Sequence, residues 1–278
     1  MFSINMEIIA ILLSTYNGID HLESQLDSIL QQTAKNWKLY IRDDGSTDGT
    51  IDIITKYTSK NDHIIFLKDN FNLGAALSFM KLLREVDAEY YMFCDQDDIR
   101  LPDKVKNSYE YFKKQEISFS QLPILVFSDA KVVNSKLQIL SDSFIKSSGI
   151  KTDLLSYIDY AKTTNLSPGC TYIFNNQLKK RAVDFPGNIP MHDWWLVLNA
   201  NEYGKLFFLA ESNMLYRQHA QNVIGAVEVN RMYYIRKFLF IFKTVKLQFS
   251  QYLFLKEINM INNIFEYYYL KIKFKFKK

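Results

Sequence analysis

Tyr90–Leu101 reads YYMFCDQDDIRL, an apolar run that breaks abruptly into Asp95, Gln96, Asp97 and Asp98. Three carboxylates within four residues are an unfavourable strand ending, because like charges a few ångströms apart repel. Positive charge should sit beside them. A hard divalent cation bound through oxygen is one way to supply it. The other reading is an acidic turn into a helix whose first turn holds Pro102, with Asp98 or Asp103 near the cap. The segments on either side decide between the two.

Upstream, Ile8–Leu13 reads as a buried strand that runs into Ser14-Thr15-Tyr16-Asn17-Gly18. Leu22, Leu26, Ile29 and Leu30 recur at helix spacing. Trp37–Ile41 is a second strand and ends in Asp43-Asp44-Gly45, and Thr50–Tyr57 follows as a helix with Asp48 at its start. Ile64–Leu67 is a third strand, followed by a loop with Asn72 and Gly74 and a helix over Ala75–Arg84. Continuous apolar strands alternating with helices predict an α/β fold around a mostly parallel central sheet flanked by helices. Each of the first four strands therefore ends in a polar cluster, and in such sheets the carboxyl ends of the strands form the ligand crevice. A single cluster reads as an ordinary turn. Four on one sheet edge read as a site.

Downstream, Val105–Phe112 reads as a helix and Ile124–Phe127 as a strand. Residues 130–165 are less regular, with a helix near Leu154–Lys162. Leu166–Thr171 is a loop leading to a strand through Phe174. His192-Asp193-Trp194-Trp195 opens a helix to about Tyr203, and Lys205–Ala210 is a strand followed by Tyr216-Arg217-Gln218-His219.

With 278 residues, 48% of them hydrophobic, the chain is long enough for a large core. Its two cysteines, Cys94 and Cys170, form neither a disulfide framework nor a thiolate metal set, so a reducing compartment is expected. Ile8–Leu13 is short and has no basic leader, a poor signal peptide. The net charge of +4 conceals an asymmetry: residues 229–278 hold 11 Lys and Arg against 2 Asp and Glu, and residues 1–228 hold 23 against 28. Two parts are expected, a main domain over 1–228 and a basic, aromatic, amphipathic helical extension over 229–278.

The ordered set STYNG, RDDGSTDGT, NFNLG, DQDD, PGCTYIFN, HDWW and YRQHAQN resembles the inverting family 2 glycosyltransferases of the GT-A, nucleotide-diphospho-sugar fold. The nearer likeness is to bacterial rhamnosyltransferase-like members that build cell-surface polysaccharides. The resemblance implies sugar transfer from dTDP-rhamnose or a UDP-hexose to a hydroxyl of a growing, lipid-linked glycan, by a single displacement assisted by Mn²⁺ or Mg²⁺. It implies Asp193 as general base, and Asp97, Asp95 and His219 at the metal. It places Thr15, Tyr16, Asn17, Asp43, Asp44, Asn72, Gly74, Asp95, Gln96 and Arg217 around the nucleotide sugar. Gly169, Cys170, His192, Trp194 and Trp195 fall on the acceptor side. The residue chemistry agrees: a tyrosine ring stacks on a base, a carboxylate accepts from a ribose hydroxyl, and tryptophans beside Asp193 would strip water from a base. Competing readings are a nucleotidyltransferase, although STYNG lacks the glycine- and arginine-rich phosphate loop that this chemistry favours, and a non-catalytic adaptor docked at a membrane.

The extension is rich in Phe, Tyr, Ile and Leu, and near its end Leu270, Ile272, Phe274 and Phe276 alternate with Lys271, Lys273, Lys275 and Lys277. Such a segment suits the surface of an anionic membrane. The chain is therefore expected in the cytoplasm, peripheral on the inner face of the plasma membrane. A homodimer through a helical hairpin is the rival use. RNA binding is not expected, since no RNA-binding motif accompanies the basic residues.

Overall fold

The computed structural model describes residues 7–69, 71–187, 189–218 and 233–276. Its organising strand is β1 (Ile9–Thr15), apolar on both faces. Ala10 and Leu12 enter one core with Phe79, Phe93 and Trp194. Ile9, Ile11 and Leu13 enter the other with Leu26, Met92 and Phe112. Burial on both faces is what a continuous apolar strand requires, because alternate side chains leave opposite sides of a sheet.

Parallel neighbours flank β1: β2 (Trp37–Asp43) on one side and β4 (Tyr90–Cys94) on the other, with β3 (Ile64–Phe66) outside β2. Leu13 pairs with Ile41 and with Cys94, and Thr15 with Asp43, so the three strands end level. Their connections are α1 (Leu22–Leu30), α2 (Thr50–Thr58) and α3 (Ala75–Glu85). α1 and α2 cover one face together with α4 (Lys104–Phe119), and α3 covers the other. Gly49 and Gly74, which precede α2 and α3, adopt positive φ of 91° and 76°, the backbone a glycine accepts most easily.

Past β4 the sheet is no longer parallel throughout. The short β5 (Ile99–Arg100) and α4 lead to β6 (Ile124–Val133) and β7 (Ile139–Ser141), followed by the short helices α5 (Phe144–Ser147) and α6 (Ile158–Thr163). β8 (Tyr172–Asn175) is antiparallel to both β4 and β6, and β9 (Lys205–Arg217) is parallel to β6 and antiparallel to β5. The strand order is β3-β2-β1-β4-β8-β6-β9-β5, with β7 beside β6. The mostly parallel expectation holds for the first half, and the second half is mixed. The reversal has a consequence for the site. Since β8 runs against β4, the residues that enter β8 lie at the end where β4 delivers Asp95. α7 (Asn176–Ala182) and α8 (His192–Tyr203) then pack on the same face as α3.

Two long helices close the chain, α9 (Tyr233–Glu257) and α10 (Ile264–Phe276). The boundary at 228 expected from charge lies outside the described residues. The extension does not pack separately: Phe254, Leu255, Tyr267 and Phe274 belong to the core that contains Trp194 and Trp195. Phe254 meets the Trp195 ring edge-on at 5.5 Å, and Phe274 lies 5.5 Å from Tyr160. Among the described residues, no helix is long and apolar enough to cross a membrane.

Candidate active site

The carboxyl ends of β1, β2 and β4 meet the entry to β8 and the start of α8 around a cleft of about 490 Å³, within the usual range for small-molecule sites. Its first wall comes from β1. Ser14 and Thr15 leave the strand toward opposite faces. Ser14 Oγ lies 2.6 Å from Ser78 Oγ and lines the cleft. Thr15 Oγ1 donates to Asp43 Oδ1 at 2.7 Å. Tyr16 lines the cleft with its side chain half exposed. Asn17, at φ 46°, turns away and ties the loop to the next one, accepting Thr47 N–H at 2.9 Å.

Asp43 and Asp44 have separate tasks. Asp43 accepts from Thr15, from Gly45 and Ser46 N–H, and from Ser46 Oγ. Buried and engaged on both oxygens, it builds the loop and lies outside the cleft lining. Asp44 lines the cleft and accepts Leu73 and Gly74 N–H, both at 2.8 Å. Asn72 Nδ2 donates to the Asp44 carbonyl. Behind Asp44 lies Arg42, fully buried, bonded to Asp44 at 2.6 Å and to Asp69 through a two-bond fork at 2.7 and 2.8 Å. Sequence reading missed Arg42, because a basic residue near a strand end resembles an exposed one.

The Asp95–Asp98 turn also divides its roles. Gln96 spends its amide on Tyr16, accepting the main-chain N–H at 2.9 Å and donating to the carbonyl at 3.0 Å, so it clamps two loops together. Asp95 and Asp97 line the cleft. Asp98 is fully buried and does not cap α4. Its Oδ1 accepts the Arg217 N–H at 2.9 Å, bridging to β9. Asp98 Oδ2 is buried without a hydrogen-bond partner. Burial first, and then the Asp97 carboxylate, push Asp95 up to about 7 and Asp98 well above the usual carboxylate range.

Asp95 and Asp97 present oxygen donors to the cleft, a donor set that fits a divalent cation. One ligand-type atom each from Asp95, Asp98 and Cys170 lies within 4.8 Å of the others. Of these, Asp95 faces the cleft beside Asp97, and oxygen donors suit Mg²⁺ or Mn²⁺. Burial pushes the Cys170 thiol well above its ordinary value, which keeps it protonated and a poor ligand for a hard ion. Arg217, expected near phosphate, donates from its guanidinium to the carbonyls of Asp97 and Ser135, each at 2.6 Å. His219 lies outside the described residues.

The opposite wall is the first turn of α8. Asp193 is 4% exposed and lines the cleft. Its Oδ1 accepts Trp194 N–H at 2.6 Å, and its Oδ2 accepts Asn165 Nδ2 at 3.1 Å. Gly169 packs against this turn so closely that a Cβ there would lie 2.9 Å from His192 Nε2 and 3.2 Å from Asp193 Cβ. His192 stacks on Phe79 at 4.1 Å, and burial lowers it to about 4, leaving a neutral ring. Trp194 and Trp195, expected beside the acceptor, are turned into the core instead, where their indole N–H groups donate to the carbonyls of Ala161 and Ala182. From His192 to Ala200 every residue of α8 is buried, so aromatic residues at its start mark packing. Asn165 and Ser167 also line the cleft and come from irregular segments with no periodic signal, and Tyr216, near the end of β9, lines it too.

The family model described as Glycosyl transferase family 2 matches residues 10–223. The dTDP-rhamnosyl transferase RfbG of Shigella flexneri is 31% identical over 227 residues, 77% of this chain and 74% of that protein. The UDP-Glc:alpha-D-GlcNAc-diphosphoundecaprenol beta-1,3-glucosyltransferase WfaP of Escherichia coli is 36% identical over 115 residues, 41% of this chain and 45% of that one. Among solved structures, Staphylococcus aureus TarS 1–349 in complex with UDP-GlcNAc superposes with a TM-score of 0.58 at 15% identity, covering 87% of this chain and 66% of that one. The mannosyltransferase PcManGT of Pyrobaculum calidifontis, in complex with GDP-Man and Mn²⁺, gives 0.59 at 13% identity, covering 97% and 80%. The fold is the GT-A glycosyltransferase fold.

Proposed function

This chain belongs to glycosyl transferase family 2 and is a glycosyltransferase, and we propose that it performs an inverting, divalent-metal-assisted transfer from a nucleotide-diphosphate sugar. The observation that carries this reading is one cleft with Asp95 and Asp97 on one wall and the buried carboxylate of Asp193 on another. dTDP-rhamnose is the favoured donor, on the likeness to RfbG, with a UDP-hexose second. The acceptor is a hydroxyl on a lipid-linked glycan of a cell-surface polysaccharide, as the WfaP name suggests for that relative.

Tyr16 offers a face to the base, and Ser14 and Asp44 supply polar atoms beside it. Asp95 and Asp97 would hold the cation, which when bound supplies positive charge to a leaving diphosphate. Asp193 accepts the proton of the attacking hydroxyl, and Asn165 and the Trp194 N–H keep its carboxylate in one orientation. In a direct displacement no protein nucleophile is needed, so the protonated Cys170 has no covalent role.

Nucleotide sugars should raise the melting temperature in the presence of Mn²⁺ or Mg²⁺ and much less without it. A ligand at about a hundred times its Kd adds roughly 2.7 kcal/mol of stability. Asp97→Asn should remove the metal-dependent part of that shift. If no nucleotide sugar shifts the transition, the proposal fails.

Gly169→Ala tests the acceptor-side geometry. The added methyl pushes on His192 and Asp193 and moves the carboxylate, and displacements of about 1 Å at a reacting group cost on the order of 10²-fold. Turnover should fall by that order with donor affinity unchanged. Wild-type turnover would show that the first turn of α8 does not position the reacting group.

A further inference from the structure

The α9–α10 hairpin carries a surface that its own packing leaves open. On α10, Tyr267, Leu270 and Phe274 are buried. Lys151 holds the same helix from the body, donating from Nζ to the Phe274 carbonyl at 3.0 Å. At 3.6 residues per turn, Phe265, Tyr269, Ile272 and Phe276 fall on the opposite side, and they are 83, 61, 59 and 74% exposed. Lys273 and Lys275, both exposed, flank this stripe to either side. α9 adds a second exposed stripe of Val245, Phe249 and Leu253. A helix with apolar stripes on two opposite faces has a second environment to meet, and contiguous exposed apolar surface of this kind marks an interaction site.

Charge selects the partner. Residues 229–278 hold 11 basic residues against 2 acidic ones, while the rest of the chain is acidic on balance. A second copy docked through this face would bring two strongly basic hairpins together, and like charge opposes that contact. An anionic bilayer matches both properties, with phosphates for the lysines and an acyl boundary for the rings. We infer that α10 lies in the headgroup region of an anionic phospholipid membrane. Phe265, Tyr269, Ile272 and Phe276 enter the acyl boundary, and Lys273 and Lys275 meet the phosphates. The inference stands on this surface alone, independent of the transfer chemistry. It also suits an acceptor carried on a lipid at the inner membrane face.

Sedimentation of the full chain with phosphatidylcholine vesicles, with and without one third phosphatidylglycerol, tests it. The protein should pellet with the anionic vesicles, less so at high salt, and hardly with phosphatidylcholine alone. Tyr269→Ser combined with Ile272→Ser should weaken that binding by about tenfold or more at an unchanged melting temperature, and so should Lys273→Glu combined with Lys275→Glu. Failure of the wild type to pellet, or pelleting of both variants at the wild-type level, would overturn the inference. So would a concentration-dependent dimer in sedimentation velocity that the same substitutions abolish. Binding is read without donor, so loss of nucleotide-sugar binding would leave this result standing.

Discussion

Asp193→Asn should lower sugar transfer by about 10²–10⁴-fold, the usual worth of a positioned general base, while donor affinity and melting temperature stay near wild type. The substitution is nearly isosteric, and its hydrogen bonds can be remade. The Asp193 Oδ1 accepts the Trp194 N–H at 2.6 Å, a bond that the oxygen of the introduced amide can keep. The partner Asn165 donates to Oδ2 through Nδ2, and its own Oδ1 is buried without a hydrogen-bond partner. A flip of the Asn165 amide would present that oxygen to the new amino group. Only proton acceptance is lost. Single-turnover transfer beside a binding titration separates the two quantities, and a fall of less than about tenfold would exclude Asp193 as the base.

Much of this site was legible in the sequence because parallel topology converts order along the chain into proximity. Four strands ending in polar residues place Thr15, Asp44, Gly74 and Asp95 at one edge whatever the details of their loops. The roles within each cluster were not legible, since a polar residue at a strand end serves the ligand or the loop equally well by sequence. Asp43, Asn17 and Arg217 serve the loops, each bonded to neighbouring loops or main chain, and Gln96 does both, clamping Tyr16 while it lines the cleft. Asp44 divides its carboxylate between the cleft and the turn into α3. The mixed second half of the sheet hid the other wall, because nothing local in Pro168–Thr171 states that β8 will run against β4.

The C-terminal extension is helical, as its amphipathic character predicts. Leu270, Ile272, Phe274 and Phe276 alternate with lysines, the period of a strand, yet the segment is helical. In a helix that alternation splits the apolar residues between two faces. Leu270 and Phe274 point into the core, and Ile272 and Phe276 point out. The helical period thereby turns one apolar series into an attachment to the body and an open surface.

Arg42→Met should destabilise the protein by about 3–5 kcal/mol, the range for removing one partner of a buried ion pair. The guanidinium has no exposed side-chain surface and spans Asp44, 4% exposed, and Asp69, 15% exposed. Without it the Asp44 carboxylate retains the Leu73 and Gly74 N–H groups but loses its counter-charge. Asp69 keeps the Phe71 N–H at 3.1 Å and Lys81 at 3.6 Å, which places the cost toward the lower end. For a chain of this size, with roughly 2–4 °C per kcal/mol, the melting temperature should fall by about 6–12 °C. Donor affinity should fall too, since Asp44 lines the cleft. The source of the loss can be isolated: Arg42→Met with Asp44→Asn and Asp69→Asn removes the stranded charges, and the triple variant should recover stability relative to the single one. A single variant melting within about 2 °C of wild type would mean that the buried fork contributes no net stability, and that the loops around Asp44 hold their shape without it.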